Sequence, residues 1–400
     1  ACLVGSEMCI RDRFTIPYVS RVLGAENIGL FSYTYAVANY FVLFANLGIK
    51  NYGSRTIAMV RNNKEELNRN FSEILSIHII FSIIVIFVYL VLLFFFVEDN
   101  LVIFLIQSIY VFAAVFDINW FFFGIEKFKL TVGRNTLVKI LSVFLVLVFV
   151  KTQTDLWIYA LILALSVFVG QSVVWFALKQ YVSWRRPSWA NMKQHIRPLF
   201  VLFLPILALS LYKYMDKIML GSISSNVQVG FYENAEKIIN VPMSLIMAFG
   251  VVLMPRIANM VTSKDKGEVF KLIDMSMEAV MLLAIAISFG LAGISFVLAP
   301  IFFGYEFEEC GILIMGLAVT VPFMAFANVI RTQYLIPYKE DKIFVVSLFL
   351  GAAVNLIVNI ILIPYMAARG AVIGTIFAEI IVCIYPVSYT HLTLPTTSRV

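Results

Sequence analysis

A series of long apolar runs, separated by short polar loops, most constrains the fold of this chain. The run IVIFVYLVLLFFF at 84–96 does not alternate polar and apolar side chains, so it does not resemble a membrane β-barrel strand. A helix crosses a bilayer with about 20 mostly apolar residues, and an open sheet edge cannot lie in lipid. Spanning helices are therefore predicted at 28–49, 74–97, 101–123, 136–150, 156–178, 199–220, 229–254, 277–303, 309–336, 343–364 and 370–386, after the end of a first helix at 14–20. The predicted fold is an all-α multi-pass membrane protein with about twelve transmembrane helices.

Composition agrees with this fold class and argues against several functions. Of the 400 residues, 61% are hydrophobic and 14% are charged, and the mean hydropathy is +0.92. Soluble domains are nearer 45–50% apolar and about 25% charged. The sequence contains no P-loop, metal-binding cluster or nucleophile–base pair, so we expect neither an enzyme nor a metal site nor an organic cofactor. The cysteines are scattered and predict no disulfide framework.

Lys and Arg are concentrated in alternate loops. The basic loops lie around 50–73, 127–139, 179–197, 256–271 and 331–342. The basic residues of the intervening loops are only Arg21, Lys151 and Arg369, and these loops also carry acidic residues. Because cytoplasmic loops carry an excess of Lys and Arg, the basic loops are predicted to be cytoplasmic. This placement accounts for the net charge of +6 without a nucleic-acid partner.

The longest polar insertion, WRRPSWANMKQHIRP at 184–198, is predicted to be a cytoplasmic linker between two lobes. The N-terminal lobe would comprise 14–183 and the C-terminal lobe 199–386. The end segments 1–13 and 387–400 resemble translated sequencing-adapter read-through, and both interrupt apolar helices. We expect both segments to be non-native, the first helix to be truncated and further helices to be missing after residue 386.

An internal repeat relates the two predicted lobes. A shift of 201 residues aligns GLF at 29–31 with GFY at 230–232, and Arg55 with Arg256. Because a shift of six helices keeps the orientation in the membrane, the repeat is parallel. Parallel repeats are related by an axis along the membrane normal, and the substrate is held between them. Two six-helix lobes related by a parallel pseudo-repeat are therefore predicted.

Seven motifs follow one another along the chain: PYVSRVLGAENIGLFSY, FDINWFFFGIEKFK, YMDKIMLG, VGFYENAEKI, LMPRIANM, RTQYLIPYKEDKIF and NLIVNIILIPY…GAVIGTIFAE. Together they resemble the Wzx-type polysaccharide or oligosaccharide flippases of the MATE-like superfamily (multidrug/oligosaccharidyl-lipid/polysaccharide). The resemblance covers nearly all of 14–386.

The resemblance implies a flippase of the bacterial cytoplasmic membrane. It would move an undecaprenyl-diphosphate-linked oligosaccharide repeat unit from the inner to the outer leaflet during O-antigen or capsular polysaccharide export. Coupling to a gradient of H⁺ or Na⁺ is implied, and a polymerase and other polysaccharide assembly proteins are the implied protein partners. Two alternatives remain open: a MATE-like exporter of drugs or other small molecules, and a membrane-bound polymerase or ligase acting on the same lipid carrier. The short outward loops disfavour such an enzyme.

The strongest candidate site is the stretch 211–238, which places charged residues beside long apolar runs. Such charges need a function or a partner, because an ionisable side chain at bilayer depth costs at least roughly 2.5–3.5 kcal/mol. Lys213 and Lys217 lie at i and i+4, on one helix face. The resemblance makes them candidate ligands of the diphosphate; alternatively, they pair with Asp216. The aromatic candidates for sugar contacts are Tyr212 and Tyr214.

Further candidates lie nearby and in the first lobe. Glu233 and Lys237 are predicted to pair at i and i+4, although Lys237 is also a candidate cavity cation. Glu236 would then remain to face the cavity. Arg21 is either a cavity cation or an interfacial anchor.

Asp117, in the FDINW motif, is the lone acid of the predicted span 101–123. It is a candidate proton or cation site, a gating residue or the partner of a distant Lys. The other gating or ion-coupling candidates are Asp216, Glu236, Arg55 and Arg256. The alternative for both arginines is simple anchoring at the cytoplasmic surface. The polar pair predicted to hydrogen-bond a neighbouring helix is Asn355 and Asn359.

Overall fold

A computed structural model of the chain describes residues 2–262 and 266–393, with side chains at 15–211, 213–261 and 267–388. The described residues form helices and short connections, without a strand among them. The α-helices are α1 (Cys2–Asn46), α2 (Ile49–Val60), α3 (Lys64–Phe96), α4 (Leu101–Val115), α5 (Asn119–Gly124), α6 (Phe128–Phe149), α7 (Leu156–Leu178), α8 (Trp189–Ile223), α9 (Asn226–Thr262), α10 (Lys266–Phe303), α11 (Cys310–Ala318), α12 (Thr320–Val329), α13 (Asp341–Met366) and α14 (Ala368–Thr393).

Eleven helical segments in the described part of the chain are long and apolar enough to span a membrane. This finding confirms the predicted all-α multi-pass fold. The end segments predicted to be non-native, 1–13 and 387–400, lie largely outside the described side chains.

The first two predicted spans are joined in one helix, α1, through a kink at Gly24. The backbone there has φ 77° and ψ 172°, a conformation that glycine adopts readily because it has no Cβ. The kink interrupts the helical hydrogen-bond ladder. The backbone N–H of Ala25 instead donates to Oε1 of Glu306, at 2.9 Å. The outer turn predicted between these spans is therefore reduced to a bend.

The chain forms two compact units. One unit is Phe31–Ser210, and the other combines Ala1–Leu30 with Leu211–Val400. Their borders fall inside α1 and α8. Of the predicted linker 184–198, only the part before Trp189 is non-helical. The predicted lobe boundaries stay a prediction.

The core of the unit Phe31–Ser210 is built around the aromatic residues that follow Asp117. Trp120 stacks on Phe71, with ring centroids 5.6 Å apart, and Phe121 packs edge-on against Phe71 at 4.9 Å. These three side chains are almost completely buried. The FDINW motif therefore begins a short helix, α5, that inserts its rings between α2, α3 and α7.

A buried polar network attaches the start of α8 to the same unit. Nε2 of His195 lies 3.0 Å from Oε2 of Glu73, and Nδ1 lies 2.6 Å from the hydroxyl oxygen of Tyr52. Nδ2 of Asn191 donates to the other Glu73 oxygen, at 3.0 Å. Glu73 and His195 are 1% and 2% exposed. The network holds α8 against α2 and α3.

In the other unit, α13 and α14 form a tight helical hairpin. One residue, Ala367, connects them with φ 49°. The hairpin brings Asn359 of α13 against Gly374 of α14, where a Cβ would lie only 2.2 Å from the Asn359 Oδ1 atom. The absence of a side chain at Gly374 therefore leaves room for a buried amide between these helices.

Candidate functional site

The stretch 211–238 forms a helical hairpin, because α8 ends at Ile223 and α9 begins at Asn226. Successive residues of a helix point in directions about 100° apart, since one turn takes 3.6 residues. Asp216 and Lys217 are both buried. Because their side chains leave the helix in different directions, they contact different partners. They organise two separate polar clusters.

The first, the Lys217 cluster, consists of Lys217, Glu233, Glu236 and Lys237. Nζ of Lys217 lies 2.5 Å from Oε2 of Glu233 and 2.8 Å from Oε2 of Glu236. Nζ of Lys237 lies 3.1 Å from the second oxygen of Glu233. The two ammonium groups and two carboxylates balance in charge, which reduces the cost of burying them.

The ion pairs of the Lys217 cluster can be compared with the pairings predicted from the sequence. The pairing of Glu233 with Lys237 is present. The alternative that Lys217 pairs with Asp216 is wrong, because Lys217 instead pairs with Glu233 and Glu236 of α9. The two neighbouring side chains leave α8 in different directions. Glu236 is likewise engaged with Lys217. Their predicted roles in substrate binding and gating stay predictions.

The second, the Asp216 cluster, surrounds one carboxylate with uncharged donors. Oδ2 of Asp216 accepts from the hydroxyl of Tyr232 at 2.6 Å and from Oγ1 of Thr375 at 2.9 Å. Oδ1 accepts from Nδ2 of Asn359 at 2.5 Å. Asn359 also donates to Oδ1 of Asn355, at 3.1 Å. Helices α8, α9, α13 and α14 thus meet at one buried acid, which is 4% exposed.

The Asp216 cluster has the chemistry of a proton or small-cation site. Among the described side chains, Asp216 forms no ion pair, so its charge is not balanced as that of Glu233 is. The Oδ1 atom of Asn359 is buried without a hydrogen-bond partner in the described chain. Carboxylate, amide and hydroxyl oxygens are the ligands that hard cations prefer. Alternatively, a proton would neutralise the carboxylate in this apolar setting.

The other candidates on α8 are placed differently. Lys213 is exposed, and its Nζ lies 5.5 Å from the ring centroid of Tyr214. The side chain of Tyr212 lies outside the described residues. The structure therefore separates the two lysines that the sequence placed on one face: Lys217 is buried in ion pairs and Lys213 is accessible.

The three arginine candidates are exposed. Nη2 of Arg21 donates to the carbonyl oxygen of Ile301, at 2.6 Å, which attaches the end of α1 to α10. Arg55 lies on α2 and Arg256 on α9. Their predicted gating roles stay predictions.

Asp117 lines a cavity of about 140 Å³ in the unit Phe31–Ser210. Its Oδ1 atom accepts two hydrogen bonds from Asn119, from the backbone N–H at 3.0 Å and from Nδ2 at 2.7 Å. Arg134 donates to the Oδ1 atom of the same asparagine, at 3.1 Å. Asn119 therefore connects Asp117 with a cation of α6, and this chain of contacts holds the start of α5.

Sequence reasoning missed the partners that define the Asp216 cluster. It predicted that Asn359 would hydrogen-bond a neighbouring helix, and the bond to Asp216 of α8 is present. Tyr232 and Thr375 were not singled out, since neither is unusual in an apolar helix. Both residues become recognisable only as polar side chains that face the buried Asp216. That contact cannot be read from the sequence without knowing which helices pack together.

The fold defines an integral membrane protein with many spanning helices, and carboxylates and amines are buried between its helices. Ionisable residues at membrane depth commonly mark ion or substrate pathways. The fold is similar to that of a lipid II flippase MurJ in an inward closed conformation, with a TM-score of 0.76, 15% identity and coverage of 97% of this chain and 87% of that chain. It is also similar to a multidrug resistance MATE family transporter of the MOP superfamily in an inward-facing conformation. That likeness has a TM-score of 0.72 and 14% identity, and covers 98% of this chain and 97% of the other.

Sequence comparison identifies the family within this class. Residues 14–261 match the family described as polysaccharide biosynthesis protein, and the chain belongs to that family. A putative O-antigen transporter of Shigella dysenteriae is 24% identical over 385 residues, covering 92% of this chain and 93% of the relative. A lipid II flippase MurJ of Bacillus subtilis is 29% identical over 192 residues, covering 45% of this chain and 35% of the relative.

These comparisons confirm the resemblance to a Wzx-type flippase of the MATE-like superfamily. The relatives are named as transporters or flippases and not as enzymes. The alternative of a membrane-bound polymerase or ligase is therefore not supported, and the chain is a multi-pass membrane protein of a transporter family.

Proposed function

We propose that the protein flips an undecaprenyl-diphosphate-linked oligosaccharide repeat unit from the inner to the outer leaflet of the bacterial cytoplasmic membrane. The flipped unit would serve O-antigen or capsular polysaccharide export, together with a polymerase. The observation that carries this proposal is similarity over nearly the whole length to putative O-antigen transporters, two of which align with 92% of this chain. A relative named as a probable low-salt glycan biosynthesis flippase supports a glycan cargo.

The diphosphate of this cargo requires an accessible cation. Lys217 is saturated by Glu233 and Glu236, so it fixes α8 to α9. Lys213 is exposed one turn earlier on α8 and supplies the point charge that binds phosphate. The cation contact is therefore assigned to Lys213, with Lys217 as its positioning residue.

Transport is coupled to H⁺ or Na⁺ at Asp216. Three uncharged donors and a buried amide oxygen support this assignment. Binding of the ion removes the uncompensated charge between α8, α9, α13 and α14, which changes how tightly these helices pack. A gradient of the ion then biases the cycle, because the ion binds one conformation more tightly than the other.

Reconstituted vesicles test the cargo and the coupling separately. A fluorescent undecaprenyl-diphosphate oligosaccharide is followed between leaflets, with and without an imposed H⁺ or Na⁺ gradient. The wild type should transfer the lipid faster with one of the gradients. Asp216→Asn should bind the lipid but show the same rate with and without that gradient.

Asp274→Asn is the matched control, since Asp274 is an exposed acid of α10, and it should respond to the gradient as the wild type does. A gradient response in Asp216→Asn equal to that of the wild type would remove Asp216 from the coupling. Export of cationic dyes without any lipid transfer would favour the small-molecule exporter.

A further inference from the structure

The cavity beside Asp117 is lined by polar side chains and tyrosine rings of three helices. It lies within the unit Phe31–Ser210 and has a volume of about 140 Å³. Its lining residues with a polar group are Tyr35, Asn39, Asn46, Tyr110, Asp117 and Gln171, and the others are valines and alanines. Ligand pockets combine a few placed polar groups with an otherwise apolar lining, and this cavity has that composition.

Two asparagines of α1 offer amide oxygens to the cavity. Nδ2 of Asn39 donates to the carbonyl oxygen of Tyr35 at 2.8 Å, and Nδ2 of Asn46 donates to that of Val42 at 3.0 Å. Each amide group is therefore oriented by its own helix. Among the described side chains neither Oδ1 atom accepts a hydrogen bond, so both oxygens can accept one from a ligand.

A second wall of the cavity holds a carboxylate and an amide that Asn119 fixes in place. Oδ1 of Asp117 accepts both bonds from Asn119, and Nδ2 of Asn119 also donates to Oε1 of Gln171, at 2.8 Å. In the described part of the chain, Oδ2 of Asp117 and Nε2 of Gln171 have no such partner. They add an acceptor and a donor to the two amide oxygens of α1.

Aromatic rings form a further side of the cavity. Tyr35 and Tyr110 pack edge to face, with ring centroids 5.1 Å apart, and Phe31 stacks on Tyr35 at 5.7 Å. Phe31 in turn packs edge-on against Tyr159, at 4.9 Å. These contacts fix the orientation of the tyrosine rings. A ring face is electrostatically negative, and it therefore attracts the weakly positive C–H groups of a sugar.

The chemistry of the lining fits a neutral ligand with several hydroxyl groups. An apolar ligand would leave the amide and carboxylate groups without partners, which is costly in a buried place. Carboxylate and amide oxygens also suit cations, but Arg134 donates to Asn119 and already places a positive charge near Asp117. Sugar hydroxyls can donate to the three oxygens and accept from Gln171.

The size of the cavity limits the ligand to a small part of a glycan. A volume of 140 Å³ corresponds to only about four or five water molecules, each with a share of about 30 Å³. It has room for one sugar ring, whereas a disaccharide would extend beyond it.

We propose that this cavity is a sugar subsite, which binds one pyranose ring of the cargo and makes the protein selective for that sugar. The proposal rests on the proposed function for the cargo. The basic loop at 127–139, shortly after Asp117, is predicted to be cytoplasmic, so the subsite lies towards the leaflet from which the cargo is taken. A site built to hydrogen-bond hydroxyl groups discriminates strongly against a ligand that lacks them.

Binding in detergent micelles tests the subsite without transport. The probes are undecaprenyl diphosphate alone and the same lipid carrying each of a panel of oligosaccharides, and the ratio of the two Kd values is the sugar preference. The wild type should prefer at least one sugar-bearing lipid. Asn39→Leu and Gln171→Leu should each reduce that preference about fivefold, because each removes one hydrogen bond to a neutral group. Their Kd for undecaprenyl diphosphate alone should stay unchanged.

Asn70→Leu is the matched control for Asn39→Leu. Nδ2 of Asn70 donates to the carbonyl oxygen of Glu66 at 2.8 Å, the same bond within one helix, but Asn70 does not line the cavity. This variant should keep the wild-type sugar preference. An equal loss in Asn70→Leu, or an unchanged preference in both cavity variants, would overturn the proposal.

Ala114→Leu tests the cavity without removing a polar group. Ala114 lines the cavity and is 4% exposed, so a larger side chain there occupies the space assigned to the sugar ring. The sugar preference should fall about tenfold or more, again with unchanged binding of undecaprenyl diphosphate. A folded Ala114→Leu protein with the wild-type preference would contradict the subsite. Should this variant not fold, Asn39→Leu and Gln171→Leu still decide the question.

The outcomes separate the subsite from the proposed function. A wild type that prefers a sugar-bearing lipid but never transfers it would contradict only the proposed function. A wild type that transfers the lipid without any sugar preference would overturn the subsite. Loss of bound radioactive Na⁺ in Asn39→Leu, with an unchanged sugar preference, would instead show a cation site and also overturn it.

Discussion

At the scale of single residues, the adjacent side chains of Asp216 and Lys217 on α8 are both buried but differ in whether an opposite charge neutralises them. Lys217 is neutralised by two carboxylates at 2.5 and 2.8 Å. Asp216 has only hydroxyl and amide donors around it among the described side chains, without a cation. A neutralised charge is suited to holding helices together, whereas an uncompensated charge is suited to binding and releasing an ion.

Replacing Lys217 should therefore affect stability more than replacing Lys213. Lys217→Ala leaves Glu236 without its ion-pair partner in a mostly buried position, and the free energy of unfolding should fall by about 3 kcal/mol. Lys213→Ala removes an exposed ammonium and should cost less than about 1 kcal/mol. Unfolding of the purified protein in micelles, titrated with SDS, measures both values.

The lipid-transfer assay should show the reverse order. Lys213→Ala should slow transfer in a protein of normal stability. If both variants lose equal stability, or if Lys213→Ala transfers normally, the division of roles between the two lysines is wrong.

The sequence identified the charged stretch, but it could not assign partners within it. The spacing of Glu233 and Lys237 predicts their pairing, since both lie on one helix. Two of the three partners of Asp216 come from α13 and α14, more than a hundred residues away in the chain. Their contacts depend on which helices pack together and at what rotation, and an apolar pattern does not encode either of these.

At the scale of elements, α8 is attached at both ends by buried polar groups. Its first turns are held by Glu73 and Tyr52 through His195, and its last turns carry the Asp216 and Lys217 clusters. The sequence predicted the start of this segment as a linker, because WRRPSW is polar. In the structure the polar residues after Trp189 begin the helix, and His195 supplies the buried contact that the charge pattern did not reveal.

Loss of His195 should loosen the start of α8. His195→Ala leaves Asn191 as the remaining hydrogen-bond donor to Glu73 among the described side chains and leaves a cavity, which should cost about 2 kcal/mol. Hydrogen exchange of the backbone between 189 and 200 should become faster, and exchange in α13 should stay unchanged.

His195→Gln should restore part of the protection, because an amide can also donate to Glu73. Lys193→Ala, two residues earlier and exposed, should leave exchange as in the parent. Unaltered exchange in His195→Ala would show that the network does not hold α8.

At the scale of the whole molecule, large apolar side chains cover the outside of the helices. Phe94, Phe176 and Phe289 are 84%, 83% and 76% exposed. In water such exposure would drive aggregation, whereas in a bilayer the same surface contacts lipid. The hydropathy of the sequence was sufficient to predict this environment and the approximate number of spans, about twelve against eleven among the described residues. Both depend on residue type along the chain and not on tertiary contacts.

Cysteine labelling should confirm the predicted orientation. Ser224→Cys lies in the turn between α8 and α9, and Asn62→Cys lies between α2 and α3. In a chain without other cysteines, an impermeant maleimide should label position 224 in intact spheroplasts and position 62 only after permeabilisation. The opposite pattern would invert the topology.

The adjacency of Asp216 and Lys217 also limits which insertions and deletions this chain can accept during evolution. Inserting one residue between Asp216 and Lys217 would raise the angle between their side-chain directions from about 100° to about 200°. With Asp216 in contact with Asn359 and Thr375, Lys217 would then turn away from Glu233 and Glu236 on α9. We expect homologous chains to vary in loop length freely, yet to keep these two positions adjacent.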